Sequence, residues 1–261
     1  MSVTSARAKL PKAGFSPEDD RIFVLILGAP RSGTTLLAAM LGGHGEAAVA
    51  DEDISTRWMR SLLGKRVLGN KLCIPNQIRL RGDSGWKRRA SRLLGAFRTK
   101  RISDTSIEDY LAVESLKLVA VLRPSDQVIK SAIERSGIGQ PKAARRWVTA
   151  VETLCALKAK DPQRLLLMEF ADLVSDPAGE AQRLCRFLGI ATDSRMLDAH
   201  RYNTRYGLSS IDHSKAKRNS EFSLSSAAEA VCSVAQPAYE QLCRDAQAQR
   251  RASVPSSTGE K

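Results

Sequence analysis

A run of glycine and hydroxyl residues near the start of the chain has the composition of a phosphate-binding loop. The segment Gly28-Ala29-Pro30-Arg31-Ser32-Gly33-Thr34-Thr35 has the glycine spacing of a Walker A loop, in which backbone N–H groups and a helix N-terminus surround a phosphate. Thr34 stands where a nucleotide-hydrolysing enzyme has lysine, and the loop's cation is Arg31. Because arginine makes a two-pronged contact with phosphate oxygens, the loop predicts phosphate binding without ordinary ATP hydrolysis.

The loop lies in a pattern in which short apolar runs alternate with residues at helical spacing. Buried strands are predicted at residues 22–27, 116–122 and 164–168, and a small-residue segment before Asp51 is a candidate for another. The longer helices are predicted at residues 141–160, 177–188 and 224–249. This alternation predicts an α/β fold of the P-loop NTPase-like type, with a central parallel β-sheet flanked by helices on both faces.

The composition predicts one domain of a cytoplasmic protein. We expect a flexible arm at residues 1–20, a single domain at residues 21–249 and a disordered tail at residues 250–261. No apolar run approaches the ~18 residues needed to cross a bilayer, and the first residues lack the apolar core of a secretory signal. The five cysteines are widely spread without CxxC spacing, which favours reduced thiols.

Three motifs together resemble the sulfotransferases that use 3′-phosphoadenosine 5′-phosphosulfate (PAPS). The loop at residues 28–35 is similar to the family's 5′-phosphosulfate loop, and Arg123 with Ser131, eight residues later, matches its 3′-phosphate motif. Residues 166–177 and the later Phe-Leu-Gly at 187–189 are similar to the family's late strand and the helix that follows it. The pattern is closest to the branch that contains the tyrosylprotein, bacterial and carbohydrate sulfotransferases.

The resemblance implies transfer of a sulfuryl group from PAPS to an acceptor hydroxyl by an in-line displacement that requires no metal. The hydroxyl could belong to a carbohydrate or glycolipid, a phenol or tyrosine, or a natural product. The residues implied to bind the nucleotide are Arg31, Ser32, Gly33, Thr34, Thr35, Arg123 and Ser131. Relatives also contribute a basic residue after Gly207, for which the candidates are Lys215, Lys217 and Arg218.

An acceptor hydroxyl needs a base, and three consecutive acidic residues, Asp51-Glu52-Asp53 (the acidic trio), supply candidates for it. Counted from Arg31, Glu52 falls where the tyrosylprotein-type branch places its catalytic glutamate, so we predict Glu52 as the base. The open alternatives are Asp51, Asp53 and His44. The trio could instead cap a helix that begins near Ile54, since acidic residues favour a helix N-terminus.

Lys71 has two interpretations. Its segment resembles the family's Asn-Lys-x-Pro motif, whose lysine helps to carry the transferring group. In this chain two more residues than in the motif separate Lys71 from Pro75. It also lies in a basic stretch, residues 65–101, with twelve basic residues and one acidic residue in a chain of net charge +13. Such a stretch attracts anions, so it hints at an anionic acceptor or peripheral contact with an anionic surface.

Two other functions are consistent with parts of the sequence. A P-loop kinase is disfavoured by Thr34 in place of lysine and by the lack of a convincing Walker B acid. A non-enzymatic polyanion-binding protein is disfavoured because aromatic residues make up 5% of the chain and do not interleave with the basic residues. We therefore expect a PAPS-dependent O-sulfotransferase with no nucleic-acid partner and no metal, and the sequence leaves its oligomeric state open.

Overall fold

A five-stranded parallel β-sheet forms the centre of the protein. The structure is a computed structural model that describes residues 20–59, 64–80, 106–198 and 222–253. The strands are β1 (Ile22–Gly28), β2 (Ala47–Asp51), β3 (Val67–Cys73), β4 (Leu116–Leu122) and β5 (Leu165–Glu169). They lie in the order β2-β3-β1-β4-β5, and every neighbouring pair is parallel.

Helices cover both faces of the sheet. They are α1 (Thr34–Gly43), α2 (Ile107–Tyr110), α3 (Ser125–Ser136), α4 (Gln140–Lys160), α5 (Phe170–Ser175), α6 (Pro177–Leu188), α7 (Ser226–Ser233) and α8 (Gln236–Ala252). Residues of α1, α5 and α6 join the core on one face, and residues of the other helices join the core on the opposite face. The predicted α/β architecture is therefore confirmed. Among the described helices, none is both long and apolar enough to cross a membrane.

The residues of β1 show why its sequence is apolar throughout. Phe23, Leu25 and Leu27 belong to one hydrophobic core, whereas Val24 and Ile26 belong to the other. Successive side chains of a strand point to opposite faces, so a strand covered on both faces needs apolar residues at every position.

Three local features of the structure differ from what the sequence predicts. β3 was not predicted as a strand, because the polar residues Asn70 and Lys71 interrupt its apolar character, yet all seven of its residues are buried. The helix predicted at residues 224–249 is divided into α7 and α8, and Pro237 lies in the first turn of α8, where its ring is tolerated. The helix near Ile54 is only a 3₁₀ turn, Arg57–Met59.

The parallel arrangement brings the carboxyl ends of the strands to one edge of the sheet. β1 is followed there by the glycine-rich loop, β2 by Glu52, β4 by Arg123 and β5 by Phe170. The chain passes from β1 to β2 and β3 on one side and then to β4 on the other. The loop after β1 therefore lies where the strand order changes direction, which is where ligands bind in open α/β sheets.

The outer edge of β5 is covered by side chains from α6 and α8. The guanidinium of Arg183 donates to the carbonyls of Leu167 and Ala246 and pairs with Glu180, 3.1 Å away. The amide of Gln249 accepts from the Leu167 N–H and donates to the Leu165 carbonyl, both at 2.9 Å. These contacts satisfy backbone groups that an edge strand otherwise leaves open.

The buried pair of Glu180 and Arg183 gives a test of this packing. We expect Glu180→Gln to lower the free energy of unfolding by about 3 kcal/mol, because the buried Arg183 loses its counter-charge and Arg250, 3.2 Å from the same carboxylate, loses one of its partners. Urea denaturation followed by circular dichroism measures the change. The control is Glu134→Gln, which breaks an exposed pair with Lys130 and should cost less than about 0.5 kcal/mol. Equal losses in the two variants would contradict a supporting role for the buried pair.

Candidate functional site

Glycines allow the loop after β1 to pass very close to its neighbours. A Cβ atom at Gly28 would lie 2.5 Å from Ser32 Oγ and 2.9 Å from the carbonyl oxygen of Val121. Gly33 has φ +107°, and a Cβ there would lie 2.3 Å from the Phe170 ring. Arg31 also has a positive φ, 77°, so the loop turns sharply before α1 begins at Thr34. Both glycines are thus required by close contact, and Gly33 also by its backbone conformation.

The loop leaves hydrogen-bonding groups that fit an anionic ligand. The N–H groups of Gly33, Thr34 and Thr35 have no acceptor among the residues that the structure describes, and α1 has no side-chain cap and no acid in its first turn. The hydroxyl of Ser32 is buried and has no hydrogen-bond partner within the same residues. Unpaired donors at a helix N-terminus form an anion site, and phosphate groups occupy such sites.

The structure brings Arg31, Arg123 and Ser131 together at this edge of the sheet. Arg31 Nε donates to Ser131 Oγ at 3.1 Å, and an Nη of Arg123 donates to the carbonyl oxygen of Arg31 at 3.0 Å. Burial, followed by the nearby Arg31 charge, lowers the pKa of Arg123 to about 10. Neither arginine forms an ion pair with a carboxylate in the described ranges. Two adjacent guanidinium groups without a paired carboxylate favour an anion between or beside them.

Several residues that the sequence did not assign to the site hold Arg123 in place. Its guanidinium lies 4.1 Å from the centre of the Phe170 ring, and its Nε donates to the side-chain oxygen of Gln127 at 3.0 Å. The indole N–H of Trp147 donates to the Arg123 carbonyl at 3.0 Å. Trp147 is buried in the core, and it also anchors the arginine's backbone. The sequence offered one signal for these contacts: Gln127 lies four residues after Arg123, in the first turn of the helix that follows it.

Lys71 forms the centre of a second group of charges beside the loop. Its Nζ lies 2.6 Å from Asp51 Oδ1, 3.0 Å from Glu52 Oε1 and 3.5 Å from the hydroxyl of Thr35 in α1. The residue is only 1% exposed, so it is not a solvated member of the basic stretch. Burial lowers the pKa of Lys71, but Cys73 and the carboxylates of Asp51 and Glu52 raise it more, and the net direction is upward. Lys71 is therefore a fixed cation at the site.

The hydroxyl groups of the two threonines differ in their surroundings. Thr34 is buried, and its hydroxyl lies 3.9 Å from the Cys73 sulfur. Thr35 is half-buried, and its hydroxyl faces the Lys71 ammonium. The loop and the lysine are thus in direct contact through Thr35.

The other candidates for the base are engaged in local structure. Asp53 Oδ1 accepts from the Ser55 N–H at 2.8 Å, so it stabilises a turn rather than capping a helix at Ile54. His44 follows the far end of α1 and is 4% exposed. Its Nδ1 accepts from the Glu46 N–H, and its Nε2 is 2.8 Å from the Ala191 carbonyl. Of the predicted acids, Asp51 and Glu52 lie against Lys71.

Some predicted features fall outside the described residues. These are residues 81–101 of the basic stretch and the three candidates near the C-terminus, Lys215, Lys217 and Arg218. Within the described ranges, no group of three or more His, Cys, Asp or Glu side chains is arranged to hold a metal ion.

Comparison with known proteins adds a family match and a fold match. Residues 110–194, about a third of the chain, match the family described as "Sulfotransferase family". The predicted resemblance to sulfotransferases is confirmed. The matched residues contain Arg123, Ser131 and Phe170, whereas the glycine-rich loop, Glu52 and Lys71 precede them. Sulfuryl transfer is the reaction class that this match supports.

Two solved structures show that the fold is that of sulfotransferase domains. The chain is similar to the sulfotransferase domain from the curacin biosynthetic pathway, with 17% identity and a TM-score of 0.53 over 83% of this chain and 98% of that one. It is also similar to the sulfotransferase domain of the Synechococcus PCC 7002 olefin synthase, with 18% identity and a TM-score of 0.52 over 84% and 96%. No curated protein sequence matches the chain significantly.

The contact between Gly33 and Phe170 gives a test of the loop. We expect Gly33→Ala to destabilise the protein by about 2 kcal/mol, since the new methyl group meets the ring and the positive φ is unfavourable for alanine. Thermal unfolding measures the loss. The matched control is Gly42→Ala in α1, whose Cβ would meet nothing within 4 Å and which should be neutral or stabilising. An equal melting temperature for the two variants would contradict the close contact.

Proposed function

We propose that the protein is a PAPS-dependent O-sulfotransferase that works without a metal. The observation that carries the proposal is the position of Lys71, whose ammonium touches the anion-binding loop at Thr35 and the carboxylate of Glu52. Lys71 therefore contacts both the site that would bind the leaving anion and the candidate base, Glu52. In-line transfer between two oxygen atoms requires these parts next to each other.

The residues around the loop fit the two ends of the proposed donor. The free N–H groups at Gly33–Thr35 and the unpaired Ser32 hydroxyl would hold the 5′-phosphate, with Arg31 neutralising its charge. Arg123 and Ser131 would hold the 3′-phosphate, and Arg123 is oriented for this by Phe170, Gln127 and Trp147. Arg123 contacts the Arg31 backbone, so the two phosphate sites are neighbours, which supports binding of both phosphates of a single nucleotide.

The chemistry of the chain's own residues follows from these positions. Glu52 would remove the proton from the acceptor hydroxyl as its oxygen forms a bond to sulfur. The bond from sulfur to the oxygen of the 5′-phosphate breaks at the same time, and the phosphate keeps the electron pair. Lys71 and the loop N–H groups would stabilise the negative charge on the equatorial oxygens and on the leaving phosphate.

Binding of the desulfated donor tests the nucleotide site. We expect adenosine 3′,5′-bisphosphate to bind in the presence of EDTA, and Arg123→Ala to weaken binding about 10- to 100-fold, because a charge-assisted contact with phosphate is lost. Isothermal titration calorimetry measures the affinities. The control is Arg135→Ala at the exposed end of α3, which should bind as the wild type does. Preference for magnesium-ATP would instead support a kinase, and binding that depends only on salt concentration would support a polyanion-binding protein.

The role of Glu52 is tested separately from binding. We expect Glu52→Gln to lower the rate of sulfuryl transfer at least about 100-fold and to leave the bisphosphate affinity within about twofold, because the amide keeps the shape but cannot accept the proton. Release of radiolabelled sulfate from PAPS measures the rate, with water in the place of the acceptor. Weakened nucleotide binding with an unchanged rate would assign Glu52 to structure instead.

A further inference from the structure

Asn70 bonds through both the nitrogen and the oxygen of its side-chain amide to the backbone of Asp53, the residue after Glu52. Its Nδ2 donates to the carbonyl oxygen of Asp53 at 2.7 Å, and its Oδ1 accepts from the Asp53 N–H at 3.3 Å. Asn70 has 0% exposure and lies in β3, immediately before Lys71. Asparagine is disfavoured within strands, and a buried amide is costly unless its hydrogen bonds are made. These two bonds account for the amide at this position.

The backbone held by Asn70 adjoins a strained residue. Glu52 has φ +59°, an uncommon conformation for a residue with a side chain, which costs of order 1 kcal/mol or more. Its N–H donates to the carbonyl oxygen of Lys71 at 2.9 Å. Glu52 is therefore fixed to β3 on its N-terminal side by Lys71 and on its C-terminal side by Asn70. A strained conformation persists only where the surroundings hold it.

We propose that Asn70 is a positioning residue for Glu52. By fixing the peptide groups of Asp53, it keeps Glu52 in its left-handed conformation, with the carboxylate against Lys71, which also contacts Thr35. This inference rests on the proposed function, because the position of Glu52 affects the rate only if Glu52 is the base. Two consecutive residues of β3 would then act on different parts of the same turn. Lys71 contacts the side chain of Glu52, and Asn70 holds the backbone of the residue that follows it.

The alternative is that Asn70 contributes only to folding. Loss of the amide in that case would lower stability and slow the reaction to the same extent whether or not Glu52 can accept a proton. If Asn70 acts through Glu52, its loss lets Glu52 relax to an ordinary conformation and moves the carboxylate. A displacement of about 1 Å at a reacting group is enough to slow a reaction by orders of magnitude.

A double-mutant cycle separates these two roles. Asn70→Ala and Asn70→Leu each remove both hydrogen bonds, and leucine also fills the space if alanine impairs folding. Each is combined with Glu52→Gln, and single-turnover release of radiolabelled sulfate from PAPS into water is measured with enzyme in excess. Calorimetry with adenosine 3′,5′-bisphosphate verifies the fold of every variant.

We expect either Asn70 variant to slow the reaction at least about 10-fold in the wild-type background and less than about twofold in the Glu52→Gln background. Bisphosphate affinity should change less than about twofold. The matched control is Gln249→Ala, which also removes an amide that bonds to strand backbone, but at β5. It should lower the melting temperature without slowing sulfate release.

Two results would overturn the inference in distinguishable ways. If Glu52→Gln is slow and the Asn70 variants slow it further by the same factor as in the wild type, Asn70 acts independently of Glu52, and the proposed function stands. If Glu52→Gln is as fast as the wild type, Glu52 is not the base, and the inference fails together with that part of the proposed function.

Discussion

The charge of Lys71 is almost completely shielded from water, and the arrangement around it follows from that fact. A buried ammonium group is tolerated only with close counter-charges and satisfied hydrogen bonds. Asp51 and Glu52 supply the charges, and they can do so because the end of β2 lies in register beside β3, with Asp51 opposite Lys71. The same lysine meets Thr35 at the start of α1. One electrostatic requirement thus brings two strand ends and a helix N-terminus to a common point.

The opposite side of the loop presents a different electrostatic balance. Here two guanidinium groups lie close together without a described carboxylate between them, and the lowered pKa of Arg123 reflects their repulsion as well as its burial. The groups around Arg123 position it without neutralising it: Phe170 offers an aromatic face to the guanidinium, Gln127 accepts a hydrogen bond from it, and Trp147 donates one to the Arg123 carbonyl. The folded protein therefore favours binding of an anion beside these arginines, because an anionic ligand would relieve the repulsion between Arg31 and Arg123.

Burial on both faces of the sheet explains which parts of the fold were predictable. The continuous apolar runs of β1, β4 and β5 reveal strands that helices cover on both sides, and the alternation with helical spacing indicates the parallel architecture. The same pattern does not reveal β3, because its residues Asn70 and Lys71 are polar although they are buried. Apolar periodicity detects strands whose residues only pack, and it fails for a strand whose polar residues meet partners from distant parts of the chain.

The sequence alone determined the local chemistry: a loop with the spacing to bind phosphate, an arginine and a serine eight residues apart, and an acidic trio after a small-residue segment. Local spacing suffices for these because each motif occupies one short, continuous segment of the chain. Only the tertiary structure decided that Lys71 is a buried partner of Glu52, that His44 is held by backbone groups, and that Asn70 bonds to the backbone beside Glu52. These roles depend on which strands become neighbours, and that is decided by the packing of the whole sheet.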